Sequence, residues 1–195
     1  TGKGVTIGLI DCGIDFQHPA FKDSEGRSRI KCVYMMGENG GHKMTINDPE
    51  TGTSTSPGSV YDTPELIATL TTDTELLSHG THTTGIAAGT RSPQGYGGMA
   101  PESDLVLVGC GNYLYNTNIA LGIKYIFDYA DSQNKPAVCS ISLGSHMGPH
   151  DGTGELASVY AQYAGSHSNH IIVNAAGNEA GNSYGTQYSG GESSS

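Results

Sequence analysis

Two short motifs carry acid–base chemistry in this chain. Leu9-Ile10-Asp11 ends an apolar run, and Ser78-His79-Gly80-Thr81-His82 opens a helix-like stretch. A carboxylate at a strand tip and an imidazole at a helix start suit two coupled roles. The carboxylate accepts a hydrogen bond from one ring nitrogen and fixes the tautomer, and the other nitrogen then removes a proton from a hydroxyl nucleophile. Asp11 and His79 are the candidates for those roles. The hydroxyl itself is not evident. Gly181-Asn182-Ser183-Tyr184-Gly185 fits the Gly-x-Ser-x-Gly elbow, but that elbow needs a strand directly before it and a helix directly after. Neither flank has that pattern, so Ser183 is not expected to be a nucleophile.

Plainer roles are open to the same residues. Asp11 could cap a following turn. His79 and His82 have the spacing of a metal pair, but no third ligand is in view. Asn178 beside Gly177 is by default a turn residue. His42, His146, His150, His167 and His170 are expected at the surface, and His82 reads as a structural neighbour. The Gly2-x-Gly4 pair precedes its strand, so it is no dinucleotide fingerprint.

The elements that must hold these residues follow from apolar patterning. Val5 to Ile10 is a short β-branched run, the pattern of a strand buried on both faces. Ile30 to Met35, Leu105 to Val108, Ala137 to Leu143 and Ile171 to Ala176 repeat it. Asn118 to Ala130 places Ile119, Ile123, Ile126, Phe127 and Ala130 on one helical stripe. Gly154 to Ala164 does the same with Leu156, Val159, Tyr160 and Tyr163. Strands alternating with helices of this length predict an α/β fold with a mainly parallel sheet, right-handed crossovers and helices on both faces. Ligands of such sheets bind beyond the carboxyl ends of the strands. Asp11, Leu143-Gly144 and Ala176-Gly177-Asn178 all fall on that rim, with Ser78 placed to cap the helix that His79 begins. Gly37 to Ser59, rich in Gly, Thr, Ser and Asn, reads as a long surface loop. Thr63-Pro64-Glu65 opens a brief helix through Leu70. Gly181 to Ser195 has the composition of a linker or a severed end.

Composition narrows the partners. Nine basic residues against nineteen acidic ones give a net charge of −10, a field that disfavours nucleic acid and anionic membranes. No stretch approaches the roughly 20 apolar residues that span a bilayer. The chain opens directly on Thr1-Gly2-Lys3-Gly4 and its first strand, as a mature or trimmed terminus does. Its 195 residues suit one sizeable core. Cys12, Cys32, Cys110 and Cys139 lack the close pairing of zinc sites; Cys12 and Cys139 read as small buried hydrophobes, and one disulfide that sequence does not assign stays open. No metal or cofactor is expected.

Four blocks then stand in one order: Ile10-Asp11-Cys12-Gly13-Ile14-Asp15 with His18-Pro19, His79-Gly80-Thr81-His82 with Gly85, Ser142-Leu143-Gly144, and Ala175-Ala176-Gly177-Asn178-Glu179. Together they resemble the subtilisin-like serine proteases, from Thr1 to about Gly181. The resemblance implies a serine endopeptidase acting on peptides or proteins, outside the cell or at its envelope. In it Asp11 orients, His79 is the general base and Asn178 donates its amide to the oxyanion. Ser142, Leu143 and Gly144 form one wall of the pocket for the residue before the scissile bond, and Ala175 and Gly177 form the other. Residues 1–180 become the front portion of a catalytic domain, subtilisin-like and incomplete at the C-terminus, with a loop and short helix inserted at 37–77. Residues 181–195 become a linker or severed end.

Departures from the family pattern are informative. No Gly-Thr-Ser-x-Ala motif occurs between Asn178 and Ser195, so the nucleophile is expected outside this chain, on the remainder of its own catalytic domain. The rival readings are a degenerate relative that binds peptides or acts as a scaffold, and an esterase-like hydrolase using Ser183. Ala20 falls where many secreted members place a calcium-binding aspartate, and Arg91-Ser92 replaces an Asn pair. A site poor in carboxylates suits a hard cation badly, and that calcium site is expected to be absent. Gly109 to Tyr115, where members align substrate as an added strand, looks shortened. Some bacterial relatives also place an extra domain after the oxyanion asparagine, where the Gly/Ser-rich tail begins here.

Overall fold

The computed structural model describes residues 1–38, 40–47, 51–74, 78–145, 148–149, 151–165 and 167–178. Glu179, Ser183 and the whole 181–195 tail lie outside the described residues, as do His146 and His150. Seven strands form one sheet: β1 (Thr6–Asp11), β2 (Ile30–Met36), β3 (His42–Asn47), β4 (Ser54–Tyr61), β5 (Asp104–Gly109), β6 (Ala137–Ile141) and β7 (His170–Asn174). Among the described residues four α-helices accompany it: α1 (Pro64–Ala68), α2 (His79–Ala88), α3 (Asn116–Ser132) and α4 (Glu155–Gly165), with one short 3-10 turn at Pro19–Phe21. The strand order is β3-β4-β2-β5-β1-β6-β7. The five strands from β2 to β7 run parallel, and the β3–β4 hairpin joins the outer edge of β2 antiparallel.

Every residue of β1 is buried, as expected of a central strand covered on both faces. On one face, Ile10, Val106, Val108 and Cys139 meet the α3 stripe of Ile119, Ile123, Ile126, Phe127 and Ala130. Burying each larger apolar side chain there contributes about 1.5–3 kcal/mol. The helix lies directly on the strand: a Cβ on Gly8 would stand 2.3 Å from Ile126 Cγ2. On the other face, Leu9, Leu105, Leu107 and Val33 meet Phe21, Ile67 of α1 and Ala88 of α2. Helix α1 starts as its sequence predicts, with Thr63 Oγ1 accepting from Leu66 N at 3.2 Å and proline in the first turn.

Three expectations change. The stretch from Gly37 to Ser59 is not a loop, because it contains β3 and most of β4. Strand β3 is largely exposed, so backbone pairing with β4, not apolar burial, holds it, and such a strand carries little hydrophobic signal. Strand β7 is not buried on both faces: Ile171 is 54% and Val173 51% exposed. Among the described residues its only strand neighbour is β6. His170 is not a surface residue. It is buried, with its ring stacked on Phe127 of α3 at a centroid distance of 4.1 Å.

Candidate active site

Parallel register collects the predicted residues on one rim. Asp11 pairs with Gly109 across β5, Ile10 with Ile141 across β6, and Ile141 with Asn174 across β7. The chain therefore leaves β1, β5, β6 and β7 side by side. Asp11 is 1% exposed and fully engaged. Its Oδ1 accepts from His79 Nδ1 at 2.7 Å and from Cys12 N at 2.7 Å, and its Oδ2 accepts from Thr83 Oγ1 at 2.7 Å. A buried carboxylate needs such donors to stay ionised. The His79 side chain is 52% exposed, and because Nδ1 faces Asp11, Nε2 on the far side of the ring points away from the buried carboxylate.

The strand's own continuation aims the helix that carries His79. Gly80 N donates to Cys12 O at 2.7 Å and Thr81 N to Gly13 O at 3.0 Å. These are first-turn amides that lack partners within the helix. Ser78 occupies the capping position, but its side chain makes no capping bond, so the carbonyls of Cys12 and Gly13 do that work instead. Thr81 Oγ1 donates to Gly13 O at 3.0 Å and accepts from Asp15 N at 2.7 Å. Gly80 has no room for a side chain: its Cβ would stand 2.5 Å from Ile14 Cγ1 and 2.9 Å from Cys12 O. At the far end of α2, the buried Arg29 guanidinium donates to Ala88 O at 2.7 Å, Thr90 Oγ1 at 2.9 Å and Ser103 O at 2.9 Å. A cation at a helix C-terminus also opposes the negative end of the helix dipole.

Sequence reasoning missed Asp73. Its Oδ1 accepts from Ile14 N at 2.7 Å and its Oδ2 from Gly111 N at 2.9 Å. One carboxylate thereby joins the turn after Asp11 to the loop after β5. Burial pushes the Asp73 carboxyl above the usual aspartate range, against the backbone donors that pull it down. Arg29 was missed as well. Neither shows a motif, because their partners are distant in sequence.

The remaining predicted residues lie on the same rim. Ser142 and Leu143 are partly buried and Gly144 is exposed, just beyond β6. Ala175, Gly177 and Asn178 are exposed beyond β7, and Ala175 N donates to Ile141 O at 3.0 Å, extending the ladder one residue past the strands. His82 lines a separate cavity of about 550 Å³ beside α2 with His18, Ile86 and Tyr96. All four cysteines are free and buried. Among the described residues no helix is long and apolar enough to cross a membrane.

Comparison with known proteins identifies the family. The sequence matches the subtilase family model (peptidase S8) over residues 2–194. It is 29% identical over 184 residues to the intracellular serine protease of Paenibacillus polymyxa, which covers 91% of this chain and 43% of that protein. Identity to the minor extracellular protease Vpr of Bacillus subtilis is 26% over 188 residues, covering 94% of this chain and 19% of Vpr. The structure of the CspB protease of Clostridium perfringens aligns with a TM-score of 0.71 at 30% identity, over 92% of this chain and 36% of that one. The chain thus spans less than half the length of each of these relatives.

Proposed function

This chain belongs to the subtilase family, and on that premise we propose that residues 1–180 are the front portion of a serine endopeptidase catalytic domain. The observation that carries the proposal is the 2.7 Å contact between His79 Nδ1 and a buried, fully hydrogen-bonded Asp11. That pairing is what a general base requires: one tautomer, a fixed ring and stabilisation of the imidazolium that forms.

Asp11 orients, and His79 Nε2 takes the proton from a serine hydroxyl supplied beyond Ser195. The serine oxygen attacks the scissile carbonyl carbon, and the oxyanion accepts a hydrogen bond from the Asn178 amide. His79 then protonates the departing amine, leaving an acyl-enzyme that water hydrolyses by the same steps. Ser142, Leu143 and Gly144 face Ala175 and Gly177 across the pocket for the residue before the scissile bond. The adjacent exits of β6 and β7 support that arrangement. By composition, residues 181–195 are a linker or a severed end. The substrate is a peptide or protein, and the site of action is outside the cell or at its envelope, in line with Vpr.

Fluorophosphonate labelling of the longest natural product containing this chain, with the labelled peptide mapped by mass spectrometry, tests the proposal. The expected label is on a serine beyond Ser195, and His79→Ala abolishes both labelling and turnover. A label on Ser183 would transfer the chemistry to the esterase-like elbow. No label on a folded sample would make the cleft a peptide-binding one that does not cut.

A further inference from the structure

The rim opposite Asp11 holds a second cluster of chemically capable side chains. There the last turn of α3, the α4–β7 connection and the first residue of β7 converge. Asp131, His167 and His170 each offer one donor atom, and the three atoms lie within 4.8 Å of one another. Among the described residues this is the one group of three or more His, Cys, Asp or Glu side chains so placed.

His170 is the informative member. Its side chain is 1% exposed, and both ring nitrogens face acceptors: Nδ1 the Tyr163 carbonyl at 3.2 Å, Nε2 the Asp131 Oδ1 at 2.8 Å. A neutral imidazole has a single N–H. If Nδ1 donates to Tyr163, Nε2 turns a lone pair toward a carboxylate oxygen, a repulsive contact unless a proton or a cation lies between them. A proton would make a simple ion pair of His170 and Asp131. The His167 ring is stacked at 4.5 Å against His170, and its donor atom lies within 4.8 Å of the other two. A divalent ion uses all three.

We propose that Asp131, His167 and His170 form a structural site for a divalent transition-metal ion of the zinc class. Two imidazoles and one carboxylate suit zinc, cobalt or nickel, whereas calcium and magnesium prefer oxygen donors throughout. Two ligands on a tetrahedral zinc stand about 3.3 Å apart. His170 and Asp131 therefore separate by about half an ångström on binding, while the exposed His167 ring closes inward. With a cation on Nε2, Nδ1–H would donate to the Tyr163 carbonyl, the outer contact that fixes a ligating histidine's tautomer, and Phe127 supplies an apolar wall behind the ring. Water completes the fourth position. The ion ties the end of α3 to the start of β7, the strand whose other end leads to Ala175 and Asn178. This inference is independent of the proposed proteolytic chemistry.

The test uses the untagged full-length protein, stripped with a chelator and titrated separately with Zn²⁺ and Co²⁺. One equivalent of Co²⁺ is expected to bind with the visible absorption of a tetrahedral N/O site, and Zn²⁺ to raise the melting temperature. Asp131→Asn and His167→Ala alter exposed side chains, so both are expected to fold, and each should weaken binding by at least about 100-fold. Absence of binding, with Asp131→Asn lowering the melting temperature equally in chelator and in metal, would identify a plain imidazolium–carboxylate pair and overturn the site. Binding that survives both substitutions would overturn it too.

Discussion

Gly80→Ala isolates the packing that aims His79. The added methyl would lie 2.5 Å from Ile14 Cγ1, 2.9 Å from Cys12 O and 3.2 Å from Asp11 Cβ. Ordinary carbon–carbon contacts stand at about 3.5–4.0 Å, so the shortfall against Ile14 is about 1 Å. Ile14 is fully buried, and Cys12 O is backbone that already accepts from Gly80 N at 2.7 Å. Neither can yield easily, so the first turn of α2 must back away from β1 and carry His79 with it. Overpacking of this kind costs about 1–3 kcal/mol, partly masked by the roughly 1 kcal/mol that alanine gains over glycine in a helix. Gly85→Ala supplies the control, because a Cβ there meets nothing within 4 Å and should stabilise by about 0.5–1 kcal/mol. In urea unfolding the two variants should therefore differ by about 1–3 kcal/mol, the overpacking cost alone. A displacement approaching 1 Å at the proposed general base should cost about 10²-fold in rate, read as kcat/KM for peptide hydrolysis by the full-length protein. If Gly80→Ala matches Gly85→Ala in stability and keeps activity within about threefold, the close approach does not position His79, and the reasoning fails.

Further outcomes follow from the same contacts. Thr83→Val removes the donor at 2.7 Å from Asp11 Oδ2; leaving that side of a buried carboxylate unsatisfied should cost about 1–3 kcal/mol in denaturant unfolding, and an unchanged midpoint would contradict it. Asp73 titrates above its ordinary value because of burial, so the native state holds that proton to higher pH than the unfolded chain does. Its contribution is complete in acid and falls as pH rises from the usual aspartate range through the raised value. The stability difference between the parent protein and Asp73→Asn should decline across that window, and a difference that grows with pH would refute the assignment. Burial raises all four thiols, Cys32 and Cys139 to about 12, and the thiolate is the reactive form. Mass-mapped alkylation near pH 8 should therefore leave these four unmodified until the protein is denatured, and rapid modification of any of them under native conditions would contradict their placement.

Legibility in the sequence tracked apolar burial. Val5 to Ile10 and Leu105 to Val108 announced their strands because both faces are covered, and the α3 stripe announced itself because all five of its apolar residues are buried. The β3–β4 hairpin escaped because its stabilisation is a backbone ladder at a sheet edge, which polar Thr and Ser residues satisfy as well as apolar ones. The contact between Asp11 and His79 was foreshadowed by their local motifs. Asp73 and Arg29 were not, since the groups they bind are brought near only by folding: Ile14 is 59 positions from Asp73, and Ala88 is 59 from Arg29. His170 was misplaced for a similar reason. Its cover comes from Phe127, and nothing adjacent in sequence forecasts that.

The two-ended fastening of α2 has a dynamic consequence. A helix held at one end can swing or fray from the other. Here Cys12 and Gly13 grip the first turn, and Arg29 grips the last while accepting from Leu105 N of β5 at 3.1 Å. The helix can leave only together with the middle of the sheet, so Asp11 and His79 belong to one cooperative opening unit. Amide protons in the opening turn of a helix ordinarily exchange early. Those of Gly80 and Thr81 should instead exchange with the slow kinetics of β1, keeping Asp11 and His79 in contact until the whole centre of the molecule comes apart.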